Sequence, residues 1–117
     1  MKRTVIWIDH VKAYVLEYAD QSINIKTMAP EHDGKFTKEF SRKFYHDLAH
    51  SLEASNRILV LGPGMAKQEF KNHCEEHHPK VNHAIVEIKN MKDHPTFEEL
   101  KHVSQDFINR DIAWTGP

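Results

Sequence analysis

Residues 5–8, Val-Ile-Trp-Ile, form an unbroken apolar run that ends at Asp9, and after the break His10-Val11-Lys12 a second β-rich run occupies residues 13–18. Two such runs joined by so short a break predict a hairpin. Ile23 and Ile25 then alternate with Asn24 and Lys26, the period of a half-buried strand near a sheet edge, which Pro30 stops. After the polar turn 31–35 the period changes. Phe36, Phe40, Phe44, Leu48 and Leu52 recur every fourth residue, which predicts a helix over about 37–54 with one apolar face. Ile58-Leu59-Val60-Leu61 has no polar alternation, as expected of a central strand covered on both faces. Gly62-Pro63-Gly64 breaks that strand. A second helix over about 65–77 turns Ala66, Phe70 and Cys74 inward, and Pro79 marks its end. Residues 81–88, with Ile85, Val86 and Ile88, predict a further strand. Thr96 and Glu99 have the spacing of a capping box, opening a third helix through Phe97, Leu100, Val103 and Phe107 that ends near Arg110.

The predicted order is βββαβαβα. Strands separated by helices require right-handed parallel crossovers, whereas the first three pair as a meander. A mixed five-stranded sheet with helices on both faces, an α/β fold, satisfies both conditions. One domain over residues 1–110 is expected, followed by a tail, 111–117, that carries Trp114 and is the only segment expected to be disordered.

Composition restricts the function classes. In 117 residues, 16 Lys and Arg stand against 17 Asp and Glu, so no global charge argues for nucleic acid or membrane, and any such case has to be local. The single cysteine excludes a disulfide framework. Apolar runs stop at four or five residues, far short of the ~20 of a membrane helix, and Met1-Lys2-Arg3-Thr4 leads into no export signal. A cytoplasmic protein without membrane contact is the expectation. Ten histidines let the charge move by several units between about pH 7.5 and pH 5.5.

Four features bear on chemistry. Gly62-Pro63-Gly64-Met65-Ala66-Lys67 sits at a strand-to-helix turn, where free amides and the helix dipole favour an anion, yet it is neither a Walker loop nor a dinucleotide fingerprint. It reads either as a tight turn or as a phosphate contact made by Gly64 and Lys67, with Gly62 shaping the turn. His46 and His50, and again His73 and His77, are four apart on helices, a spacing that brings each pair to one face. Each pair still needs a further ligand, and His73-Cys74-Glu75-Glu76-His77 lacks the second-position glutamate of a zinc-protease helix. Solvated surface histidines are the competing reading, so neither a metal nor any other cofactor is implied. Asp9 closes the first strand, where a carboxylate can hold Mg²⁺ for a nuclease or phosphoesterase. Glu39, Asp47 or Glu53 could supply a second acid, but the end of the central strand offers none, and a plain turn residue is the alternative. No serine or cysteine has a nucleophile's setting. Opposite the Phe/Leu stripe, Lys38, Arg42, His46 and His50 are offset by two residues, about 200° around the helix. With Lys35 and Lys43 nearby they make a modest basic stripe, diluted by Glu39, Asp47 and Glu53.

The element order and the stretch 58–70, an apolar strand meeting Gly62-Pro63-Gly64-Met65-Ala66-Lys67, resemble the strand-turn-helix of the middle domain of Pelota and of eukaryotic and archaeal class-1 peptide release factors. The chain is also similar to small bacterial proteins known as translational machinery proteins. Shared features are Trp7-Ile8-Asp9-His10 with Ala13 following, His46-Asp47-Leu48-Ala49, the Gly-Pro-Gly turn, His77-His78-Pro79 and Asp93-His94-Pro95-Thr96, which together span nearly the whole chain. The resemblance implies a three-layer fold similar to ribonuclease H and a setting in translation. Release factors carry a Gly-Gly-Gln loop between the third strand and the first helix, where this chain has only Gly34 in residues 30–36. Peptide-release chemistry is therefore not expected.

The leading expectation is a non-enzymatic module that binds RNA or the ribosome, with Lys35, Lys38, Arg42 and Lys67 on phosphate and Gly62 and Gly64 shaping the turn. A metal-dependent nuclease around Asp9 is the second reading. Self-association through a sheet edge or the Trp114 segment, giving a homo-oligomer, is the third.

Overall fold

A computed structural model describes all 117 residues. Strand β1 (Arg3–Ile8) is buried at each of its six positions, because it is the middle strand of a sheet ordered β3-β2-β1-β4-β5. It pairs antiparallel with β2 (Ala13–Ala19) and parallel with β4 (Arg57–Gly62). The edges are β3 (Ser22–Met28), antiparallel to β2, and β5 (Ile85–Asn90), parallel to β4. The predicted meander and the predicted parallel half meet at β1. Asp20 and Gln21 both take positive φ, 52° and 65°, in the two-residue turn that joins β2 to β3, a geometry that matches strand twist.

Alternation along β1 and β4 divides the core. Ile6, Ile8, Ile58 and Val60 face α1 (Lys38–Ser51), α2 (Ala66–His77) and α3 (Pro79–Ala84), burying Phe44, Leu48, Phe70, Cys74 and Val81. Val5, Trp7, Leu59 and Leu61 face α4 (Phe97–Thr115) through Leu100, Phe107 and Ile108. Helices therefore cover both faces, as expected. Thr37 caps α1 through its side chain, and Thr96 with Glu99 forms the predicted capping box of α4. No helix is long and apolar enough to cross a membrane.

Two expectations are corrected. Residues 79–84 are a short helix, so Pro79 opens an element instead of closing one and the order becomes βββαβααβα. Proline suits the first helical position, where its fixed φ helps and its missing N–H is no loss, and Val81 and Ala84, three apart, both reach the core. The strand begins only at Ile85. The third predicted helix, α4, also runs past Arg110 to Thr115, so the boundary at 110 falls inside it.

What holds that last turn is electrostatic. Arg3 Nε donates to Asp111 Oδ2 at 2.8 Å, and Arg57 reaches Asp111 Oδ1 at 2.7 Å. Arg3 also donates to Thr115 Oγ1, at 2.8 Å, and to the Gly116 carbonyl. Arg3 and Arg57 are register partners across the β1–β4 ladder, so two like charges lie side by side and one buried carboxylate answers both. Burial pushes the Asp111 carboxyl up, but hydrogen bonds from Arg57 and Arg3 outweigh it and leave the group below its usual range.

A carboxylate depressed in the folded state adds stability that is full above its unfolded value and disappears as pH falls through the folded one. Asp111→Asn is expected to cost about 3–5 kcal/mol at neutral pH, because it leaves the buried Arg3 guanidinium uncompensated, with Arg57 half-buried beside it. The gap in urea-unfolding stability between wild type and variant should narrow as pH is lowered below about 4. A neutral-pH loss under about 1 kcal/mol would show that the clamp does not hold α4.

Candidate functional site

Because β1 and β4 are parallel, the Asp9 turn and the Gly62-Pro63-Gly64 turn emerge together at the C-terminal ends of these two interior strands. Gly62 is dictated by proximity, since a Cβ there would collide with the Ile8 backbone carbonyl. Gly64 is dictated by conformation, with φ at 58° and open space around it. Lys67 folds back and donates from Nζ to the Gly64 carbonyl, so its ammonium sits over the turn. Asp9 Oδ1 accepts from the backbone N–H groups of Val11 and Lys12, each at 2.8 Å. That is the turn role weighed for Asp9 from the sequence. A cleft of about 290 Å³ separates the two turns, and Asp9 and Asp93 are the only acids lining it.

The basic stripe on α1 is present, with Lys38, Arg42, His46 and His50 exposed and Lys35 exposed just before the helix. Its members differ in availability. Lys43 is paired with Asp47 at 3.0 Å, and His50 lies 3.5 Å from Glu53. Lys35, Lys38 and Arg42 have no ion-pair partner. The stripe and the Gly-Pro-Gly turn do not form one surface. Arg42 lines a cavity with His73, His77 and His78 at the C-terminal end of α2, whereas Lys67 is at the N-terminal end, about 15 Å away along the helix axis.

That cavity, about 510 Å³ and also lined by Glu39, Lys43 and His46, gathers the histidines differently from their spacing. His46 and His73 come from different predicted pairs, and His78 joins them. His46 Nδ1 is 3.2 Å from His78 Nε2, and the His73 ring centre lies 4.9 Å from that of His77 and 5.3 Å from that of His78. His50 stacks on His46 at 6.5 Å. His73 Nε2 is buried with no hydrogen-bond partner, a cost on the order of 1–3 kcal/mol. Desolvation, then the neighbouring His77, His78 and His46, pushes the His73 imidazole below its usual value. His78 is lowered by burial and by His46. Both shifts favour the neutral imidazole at His73 and at His78. Sequence reasoning missed His78, which ends α2 at φ −137° and ψ 69°. The following Pro79 was the available signal, because a residue before proline leaves the helical course.

Two further groups are inert. Cys74 is fully buried, as its helical position predicted, and burial pushes its thiol up to about 12. Tyr45 donates to Glu69 Oε1 at 3.0 Å, and burial, then the Glu69 charge, raises its hydroxyl well above the usual phenol range.

No family model matches the chain. The chain is 32% identical over 92 residues to the Pelota homologue of Methanocaldococcus jannaschii, an alignment that takes in 73% of this chain and 26% of that protein. The chain thus spans about a quarter of the length of the curated relative it matches. Among solved structures, Archaeoglobus fulgidus Pelota superposes with a TM-score of 0.70 at 13% identity, covering 96% of this chain and 33% of that one. A chain of a model of ribosome-bound archaeal Pelota and ABCE1 gives 0.67 at 17% identity, covering 94% and 35%. At those identities the structures establish the fold alone. The chain therefore resembles the middle domain of Pelota in sequence and in fold, as its motifs implied.

Gly62→Ala is expected to destabilise the protein by on the order of 2–3 kcal/mol, since the obstructing atom belongs to the backbone. Gly64→Ala should cost about 1–2 kcal/mol through its positive φ. Denaturant unfolding of both variants tests this ordering, and equal costs would contradict the close approach of β1 and β4 at Gly62.

Proposed function

We propose that this chain is a non-enzymatic, translation-linked module that binds RNA in a ribosomal setting through phosphate contacts made by Lys35, Lys38 and Arg42. The likeness to the Pelota homologue, joined to three exposed cations that no acid neutralises, carries this reading. One of the matched structures is a Pelota described as ribosome-bound, which supports the setting and a cytoplasmic location. Lys67 and the Gly62–Gly64 turn act as a second, separate contact, since Lys67 lies in the first turn of α2 and the cavity lined by Arg42 lies toward that helix's other end. Peptide release is not part of the function, because residues 30–36 hold a single glycine where release factors carry Gly-Gly-Gln.

Fluorescence anisotropy with a labelled ribosomal RNA fragment tests the assignment. Three or four phosphate contacts to single-stranded RNA predict that affinity falls roughly 20- to 50-fold between about 50 and 200 mM salt. Lys38→Glu with Arg42→Glu should weaken binding at least about 10-fold and flatten the salt slope by about 1.4. Both positions are solvent-exposed, so folding is preserved. Unchanged affinity in the double variant would remove the α1 face from the interface.

A further inference from the structure

We propose that His46, His73 and His78 form a three-imidazole site for a divalent transition-metal ion of the zinc class, with its remaining coordination position open to the cavity between α1 and α2. One ring nitrogen from each of the three lies within 4.8 Å of the others. The 3.2 Å between His46 Nδ1 and His78 Nε2 is close to the edge of a tetrahedral site, about 3.3 Å for zinc–nitrogen bonds of about 2.05 Å. The three donors come from separate places: His46 from mid-α1, His73 from the third turn of α2, and His78 from the α2–α3 junction. Packing α1 on α2 is therefore what assembles them.

A cluster held only by hydrogen bonds leaves this arrangement incomplete. His46 and His78 can share one proton between them, but His73 Nε2 is buried and has no partner. A metal would engage three lone pairs at once. The charged groups lining the cavity are Glu39, Arg42 and Lys43, and Lys43 is already paired with Asp47. No carboxylate joins the three nitrogens, which disfavours Mg²⁺ and Ca²⁺, ions that need oxygen ligands. Imidazole donors suit Zn²⁺, Co²⁺, Ni²⁺ and Cu²⁺. An open position beside Arg42 suits an anionic or water ligand.

The inference does not depend on RNA binding, and its test uses none. The full chain, stripped of metal with a chelator, is titrated with Zn²⁺ by calorimetry and with Co²⁺ by visible absorption. One equivalent of each should bind, with the intense cobalt bands of a four-coordinate site. His46→Gln, which alters an exposed side chain and keeps the fold, should weaken Zn²⁺ more than roughly 10-fold, the least expected when even an outer-shell partner is lost. His73→Gln and His78→Gln, checked by circular dichroism, should do the same. His83→Gln with His102→Gln, outside the cavity, should bind as wild type does. Absence of stoichiometric binding, or loss as large in the His83/His102 control as in His46→Gln, would overturn the site and leave only dispersed surface histidines.

Discussion

The parallel pairing of β1 with β4 is the constraint on which the rest of the structure depends. It joins the meander β1–β3 to the crossover half β4–α2–α3–β5, and each strand presents one set of side chains to α1, α2 and α3 and the other to α4. Both ends of the ladder carry a cost that the surrounding residues meet. At one end Arg3 and Arg57 stand side by side, and Asp111 reaches in from α4 to neutralise both. At the other, the backbone comes so close at Ile8 that only glycine fits at position 62.

That second end places the candidate site residues. With the strands in parallel register, the Asp9 turn and the Gly-Pro-Gly turn leave the sheet together, and α2 starts from the latter. The three turns of α2 then carry the chain to His77 and His78, where α1 supplies His46 and Arg42. One helix length therefore separates an amide-rich turn topped by Lys67 from a cavity rich in imidazole. The two regions differ in chemistry as well as in position. The turn offers a cation and backbone N–H groups to phosphate, whereas the cavity offers imidazole nitrogens.

Much of this was legible in the sequence because hydrophobic period reports burial directly. The all-apolar runs 5–8 and 58–61 became the two central strands, and of the fourfold series from Phe36 to Leu52, Phe44, Leu48 and Leu52 are buried and Phe40 partly so, while Phe36 precedes α1 and stays exposed. What escaped notice lacks such a signal. Helix α3 is only six residues long, too short for a helical period to stand out from a strand's. The last turn of α4 is anchored by Asp111, a charged residue whose burial rests on arginines more than fifty residues away, which no local pattern reveals. Gly62 was readable as a strand breaker, but the carbonyl that forbids its side chain belongs to a neighbouring strand. The histidine cluster escaped for the same reason. Spacing of four finds residues on one helix face, yet His46, His73 and His78 meet across helices and across a proline-induced break.

Association of this Pelota-like domain with the translation apparatus through phosphate contacts is the central proposal for the protein. Co-sedimentation of the full chain with ribosomes and subunits, at about 50 and 300 mM salt, tests it most directly, since a handful of such contacts loses orders of magnitude in affinity over that range. The protein is expected to travel with a ribosomal fraction at low salt and to be released at high salt. Protein that stays at the top of the gradient under both conditions would contradict it.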